Sequence, residues 1–87
     1  MVLSFVIKMG YVIQDYLKTN NLENAKPKVL MRVLIKKGYF NNDHRDGLPF
    51  RNLLRQLDDN NLLHLLPQVS VERKNKSRYW FFNAIKF

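Results

Sequence analysis

Apolar residues recur at helical spacing, about 3.6 per turn, as far as Leu57, and alternate at every second position over Gln68–Glu72 before an aromatic run at Tyr79–Phe82. A chain ordered this way builds helices first and a β-hairpin last, which predicts an α+β fold with the hairpin toward its C-terminal end. Within the helical part the stretch Gly47–Asn61 is the most explicit. Steps of about 100° per residue put Phe50, Leu53, Leu54 and Leu57 on one side and Asn52, Arg55, Gln56 and Asp59 on the other, with Arg51 at the margin. Pro49 suits a first turn, where its missing N–H costs nothing, and Gly47 is a natural hinge into it. Asn60 and Asn61 tolerate the left-handed conformation that ends helices, so the predicted helix covers residues 49–60.

Two helices precede it. From Pro27 to Lys37, Val29, Leu30, Met31, Val33, Leu34 and Ile35 cover most of the circumference, which marks the central, most buried helix. Its polar stripe is Lys28, Arg32 and Lys36, spaced by four. Such an edge either keeps a buried helix solvated or tracks phosphates. Gly38 closes this helix, and Tyr39 and Phe40 tuck back into the core. Upstream, Val12–Thr19 reads as helix ended by Asn20 and Asn21. Residues 2–7, rich in Val, Phe and Ile, fit either a short strand or the start of that helix. A linker, residues 22–26, leads to Pro27. Beyond residue 61, an apolar connection, residues 62–67, leads into Gln68–Glu72, which alternates. A polar turn over Arg73–Ser77 and an aromatic strand over Arg78–Phe82 complete a hairpin with a basic tip.

A chain of 87 residues makes one domain with one modest core and little room for a deep catalytic cleft. A hydrophobic fraction of 46% is enough to fold without covalent staples. With no cysteine there is neither a disulfide framework nor a thiolate zinc site, as fits a reducing, cytoplasmic interior. No basic region precedes residues 2–7 and Asp15 soon interrupts, so this run is neither a leader nor the roughly 20 apolar residues that span a bilayer. No membrane partner, small-molecule ligand or cofactor is indicated. Fifteen Lys and Arg against seven acids give a net charge of +8, which favours a polyanionic partner.

Tests for enzyme and metal chemistry return little. Aligning Gly47 to the sixth position of a calcium loop puts Leu53 where a bidentate Glu is required, so that reading fails. His44 and His64 are far apart and lack companion ligands, as ordinary surface or core-edge histidines do. Glu72-x-Lys74, preceded by Asp58 or Asp59, matches the acid-acid-x-Lys pattern of metal-dependent nucleases, but so short a match arises easily by chance. No nucleophile with a paired base is available. The expectation is a protein that is not an enzyme.

The order helix, helix, helix, basic-tipped hairpin resembles the winged-helix branch of the helix-turn-helix proteins. The stretch Gly47–Leu63 looks like the recognition helix and its exit, and the hairpin from Val69 to Phe82 looks like the wing. The resemblance covers roughly residues 27–82 and rests on pattern rather than on an invariant motif. One departure stands out: the loop from Asn41 to Leu48 exceeds the usual three- or four-residue turn, so the unit is a loose variant or hides a short helical turn there. The resemblance implies duplex DNA binding in a small transcriptional regulator, with a homodimer on a palindromic site left open.

The residues support the same reading on physical grounds. A helix fits the major groove, and Arg51, Asn52 and Arg55 project near the N-terminal end of the predicted one. Arg pairs two donors with guanine, Asn pairs donor and acceptor with adenine, and Gln56 is a weaker candidate of the same kind. Lys28, Arg32 and Lys36, and Arg73, Lys74, Asn75, Lys76 and Arg78 on the wing, are the candidate phosphate contacts. Asp58 and Asp59 would repel phosphate, so they sit away from the backbone or pair with Arg55 and wing cations. Tyr79, Trp80, Phe81 and Phe82 pack into the core or stack on unpaired bases. The alternative is a small winged-helix interaction module, of phage or mobile-element type, that binds an acidic protein surface.

Overall fold

In the computed structural model, which describes residues 3–86, the first element is a helix, α1 (Leu3–Thr19). The ambiguity over residues 3–7 is thereby resolved against a strand, while Val2 lies outside the described residues. The reason is periodicity: Val6, Met9, Ile13 and Leu17 share one face, so continuing the helix toward the N-terminus buries Val6 and Met9 completely. Asn21 ends α1 in the left-handed conformation (φ 51°), and the Leu22 amide donates back to the Leu17 carbonyl at 3.0 Å.

α2 (Pro27–Lys36) begins on its proline and ends at Gly38, whose φ of 87° lets the Tyr39 amide reach the Leu34 carbonyl at 2.8 Å. It touches α1, α3 and the hairpin and buries Pro27, Leu30, Met31 and Leu34. It is central without being wrapped all round, since Val29 is 40% exposed. Tyr39 packs edge-on against Phe5 and Phe40 against Phe50, with ring centres 4.9 and 5.8 Å apart, as expected of residues folding back onto the core.

α3 (Leu48–Asp59) is where the chain parts from a helix–short turn–helix. A Cβ built on Gly47 would lie 2.9 Å from the Lys28 amide nitrogen, so α3 starts against the start of α2. The intervening segment therefore has to run back over the roughly 15 Å length of a ten-residue helix. It finishes in a single turn wound left-handed: Arg45, Asp46 and Gly47 have φ of 51°, 54° and 83°. That turn is closed by Leu48 N–H donating to the His44 carbonyl at 3.1 Å and by Gly47 N–H donating to Asp43 Oδ1 at 2.9 Å. A hidden turn is there, of the opposite hand to a helix.

A 3₁₀ turn (Leu63–Leu65) leads to β1 (Val69–Lys74) and β2 (Ser77–Phe82), paired antiparallel from Val69↔Phe82 to Lys74↔Ser77. Only Asn75 and Lys76 remain in the turn, which is three residues shorter than the sequence suggests, because Asn75 takes a left-handed φ of 50° that closes a two-residue connection. Trp80 and Phe82 face inward, and Phe82 stacks on Phe50 at 5.3 Å. Ala25, in the segment expected to be a plain linker, exchanges both main-chain hydrogen bonds with Phe82 at 2.9 and 2.8 Å. The segment between α1 and α2 thus contributes a one-residue third strand on the outer edge of β2. Among the described residues no helix is long and apolar enough to cross a membrane.

Candidate nucleic-acid interface

α3 divides as its spacing predicts. Phe50, Leu54 and Leu57 are fully buried, Leu53 is partly so, and Asn52, Arg55 and Gln56 are exposed. Arg51 is partly buried and turned back on the chain. Its guanidinium donates through Nε to the Asp46 carbonyl at 3.3 Å and through Nη2 to the Arg45 carbonyl. It therefore holds the left-handed turn, a task that spacing along α3 gave no sign of.

Beside this face lies a groove of about 560 Å³ whose walls come from three separate stretches. Lys26 and Lys28 stand at the start of α2, Arg51 and Arg55 on α3, and Arg78 with Tyr79 on β2. Two conditions place these cations together: the long loop brings the first turn of α3 to that of α2, and the Ala25–Phe82 pairing holds β2 alongside. Asp46 sits at the rim, 3.1 Å from Lys28 Nζ. Lys26 was hidden in the apparent linker; its place directly before a helix-opening proline is the signal that could have found it. Arg32 and Lys36 are exposed and continue from Lys28 along α2, away from the groove.

The hairpin cations do not stand free as a group. Asp58, with only 13% of its side chain exposed, accepts two parallel hydrogen bonds from Arg73, both at 2.8 Å. Arg78 Nη1 lies 3.3 Å from the same carboxylate, too poorly aimed for a hydrogen bond, while its Nη2 is 3.0 Å from Asp59. Hydrogen bonding from Arg73 outweighs the opposing effect of burial and, with the charges of Arg73 and Arg78, holds the Asp58 carboxyl below its ordinary range; the same bond raises Arg73. The acids at the end of α3 pair with wing cations, as expected, and not with Arg55. Lys74 pairs with Glu72 at 3.1 Å and lies 6.0 Å from the centre of the half-exposed Tyr79 ring. Asn75 and Lys76 project at the tip.

The candidate residues thus fall into four groups. Lys28, Arg51, Arg55 and Arg78 share the groove, with Asn52 and Gln56 exposed on the same helix as Arg51 and Arg55. Arg73 and Arg78 bind the hairpin to the end of α3. Lys74, Asn75 and Lys76 form the tip, and Arg32 and Lys36 form a ridge. Among the described residues no cluster of three His, Asp or Glu side chains could hold a metal ion, and both histidines are exposed. Of the inward-facing hairpin aromatics, Trp80 and Phe82 are core; Tyr79 alone of the aromatic run is exposed.

What the fold and groove define is a small α+β domain, three helices followed by an antiparallel hairpin, with a basic cleft where the helix starts meet the last strand. No family model, curated protein or solved structure matches the chain.

Proposed function

We propose that the protein binds duplex DNA in the manner of a winged-helix domain and acts as a small transcriptional regulator. The observation that carries this reading is the gathering of Lys26, Lys28, Arg51, Arg55 and Arg78, from distant points in the sequence, along one groove beside the exposed polar face of α3. Asn52, Arg55 and Gln56 read base edges, and Lys28, Arg32, Lys36, Lys74 and Lys76 contact phosphates. Arg51 contributes by fixing the entry to α3, and Arg73 and Arg78 by fixing the wing. No chemical step belongs to this reading.

A polarisation titration over a salt series, with duplex DNA, single-stranded DNA and RNA in parallel, tests it. Tight, salt-sensitive binding that prefers duplex DNA is expected; its absence removes the proposal. Arg55→Ala should weaken binding and relax sequence preference by about 1–3 kcal/mol at one base pair. Lys74→Ala should weaken all sequences alike and reduce the salt slope by about 0.9.

A second reading, capture of an acidic protein segment, is favoured by one feature. Phe82 directs its N–H and C=O to Ala25, so in an antiparallel strand Trp80 and Arg78 direct theirs to the same edge, which has no strand beside it there. Competition between duplex DNA and an acidic peptide for the wild-type protein separates the two.

A further inference from the structure

Alternation along β2 puts Trp80 and Phe82 in the core and turns Tyr79 and Phe81 to the opposite face of the hairpin. Tyr79 is half-exposed, and Phe81, half-buried, packs outside the core cluster. Directly across the ladder stand Glu72 and Ser70, so neither ring has an apolar partner on β1. Cations flank the pair. Lys74 lies 6.0 Å from the Tyr79 ring centre, and the Ala25–Phe82 pairing, continued by one position, sets Lys26 beside Phe81. The acids on this side, Glu72 and Asp46, are already engaged by Lys74 and Lys28, each at 3.1 Å. Both rings also border the basic groove, toward which Trp80 and Arg78 direct main-chain N–H and C=O groups that no strand pairs.

We propose that Tyr79 and Phe81 seat unpaired bases beside the duplex, so that the preferred ligand is a duplex carrying a short single-stranded tail. The bases of the tail stack on the two rings, and its phosphates follow Lys26 and Lys74. The free main-chain groups of Trp80 and Arg78 hydrogen-bond to the exposed base edges. Two positions along a strand set the rings about 7 Å apart, roughly twice the rise between bases stacked in a duplex strand. A base inside a duplex is covered on both faces and cannot lie on a ring, so a blunt duplex leaves this surface unused. An acidic peptide strand would satisfy the same main-chain edge but gives the ring pair nothing to do. The inference names the substrate of the DNA-binding reading and rests on it.

Polarisation titrations test it with three probes: a blunt duplex, the same duplex with two unpaired adenines on either strand, and the same tails made of abasic sugars. The abasic tail keeps the phosphates and removes the stacking. Wild-type protein is expected to bind the adenine tail at least about tenfold more tightly than the blunt end or the abasic tail. Tyr79→Leu should bring that ratio close to one and Tyr79→Trp should keep it, while Arg55→Ala should lower both affinities with the ratio intact. Position 79 is half-exposed, so circular dichroism should show both of its variants folded. Equal affinity for tailed and blunt duplex, with duplex binding present, overturns this inference alone. Absence of any duplex binding overturns the DNA-binding reading and this inference with it. A tail advantage that persists in the abasic probe or in Tyr79→Leu also overturns it, as does an acidic peptide that displaces the tailed duplex at equal concentration.

Discussion

Asp58 shows how one side chain can reassign its neighbours. Arg73 and Arg78 look like phosphate contacts in the sequence because both lie beside a basic turn, yet one carboxylate at the end of α3 engages both. That Asp58 and Asp59 need cationic partners was legible, since two acids at a helix C-terminus oppose its dipole. Which cations answer was not, because that depends on how the hairpin docks. The carboxyl's folded value lies below the unfolded value of about 3.9, so its contribution to stability is complete above that pH and is lost as pH falls through the folded value. Urea unfolding should therefore show a stability loss below about pH 4 in the wild type. Asp58→Asn should be less stable at pH 7 and lack most of that acid-dependent loss; an identical pH profile would rule the pair out as its source.

The elements were legible where a period persisted over several turns or several strand positions. The buried face of α3 follows directly from spacing, whereas four consecutive aromatics gave no alternation to single out the inward Trp80 and Phe82, and α2 is less wrapped than its apolar residues suggest. The left-handed turn was not legible, since nothing in Arg45 or Asp46 marks a reversed hand; it is held by the Leu48–His44 main-chain bond and by contacts from Asp43, Lys28 and Arg51. Nor could a strand of one residue at Ala25 produce a pattern. Two glycines separate backbone strain from contact. Gly38 and Gly47 both have φ near 85°, which costs an L-residue about 1–2 kcal/mol, but a Cβ at Gly38 meets nothing while one at Gly47 meets α2. Thermal melts should show Gly47→Ala losing clearly more stability than Gly38→Ala. Equal losses would mean that the two helix starts do not need to touch.

Over the whole molecule, the acids oppose the net charge at chosen points. Asp46, Asp58, Asp59 and Glu72 all pair with residues that are candidate nucleic-acid contacts. Their arrangement holds the loop and hairpin in place and lowers the number of cations free to meet a polyanion. Replacing both Asp58 and Asp59 by Asn should therefore destabilise the fold yet steepen the salt dependence of duplex binding, by up to about two units if Arg73 and Arg78 each gain a phosphate. An unchanged slope would show that neither arginine reaches the nucleic acid even when released.

The pairing of Ala25 with Phe82 also has a consequence in time. It joins the segment after the first helix to the last strand, and Gln14 adds a second tie by exchanging hydrogen bonds with the backbone of Ile85. Contacts so distant in sequence carry the largest loop-closure cost and are expected to form after the local ones. During synthesis the helices can collapse while the hairpin is still in the ribosome, but the domain cannot lock until residue 85 has emerged. Phe82→Ala should cost about 3–5 kcal/mol. Stopped-flow measurements should find most of that cost in faster unfolding, with refolding slowed little. A variant that instead folds slowly would place this junction among the earliest contacts, and the chain would then have to wait for its far end before it could begin.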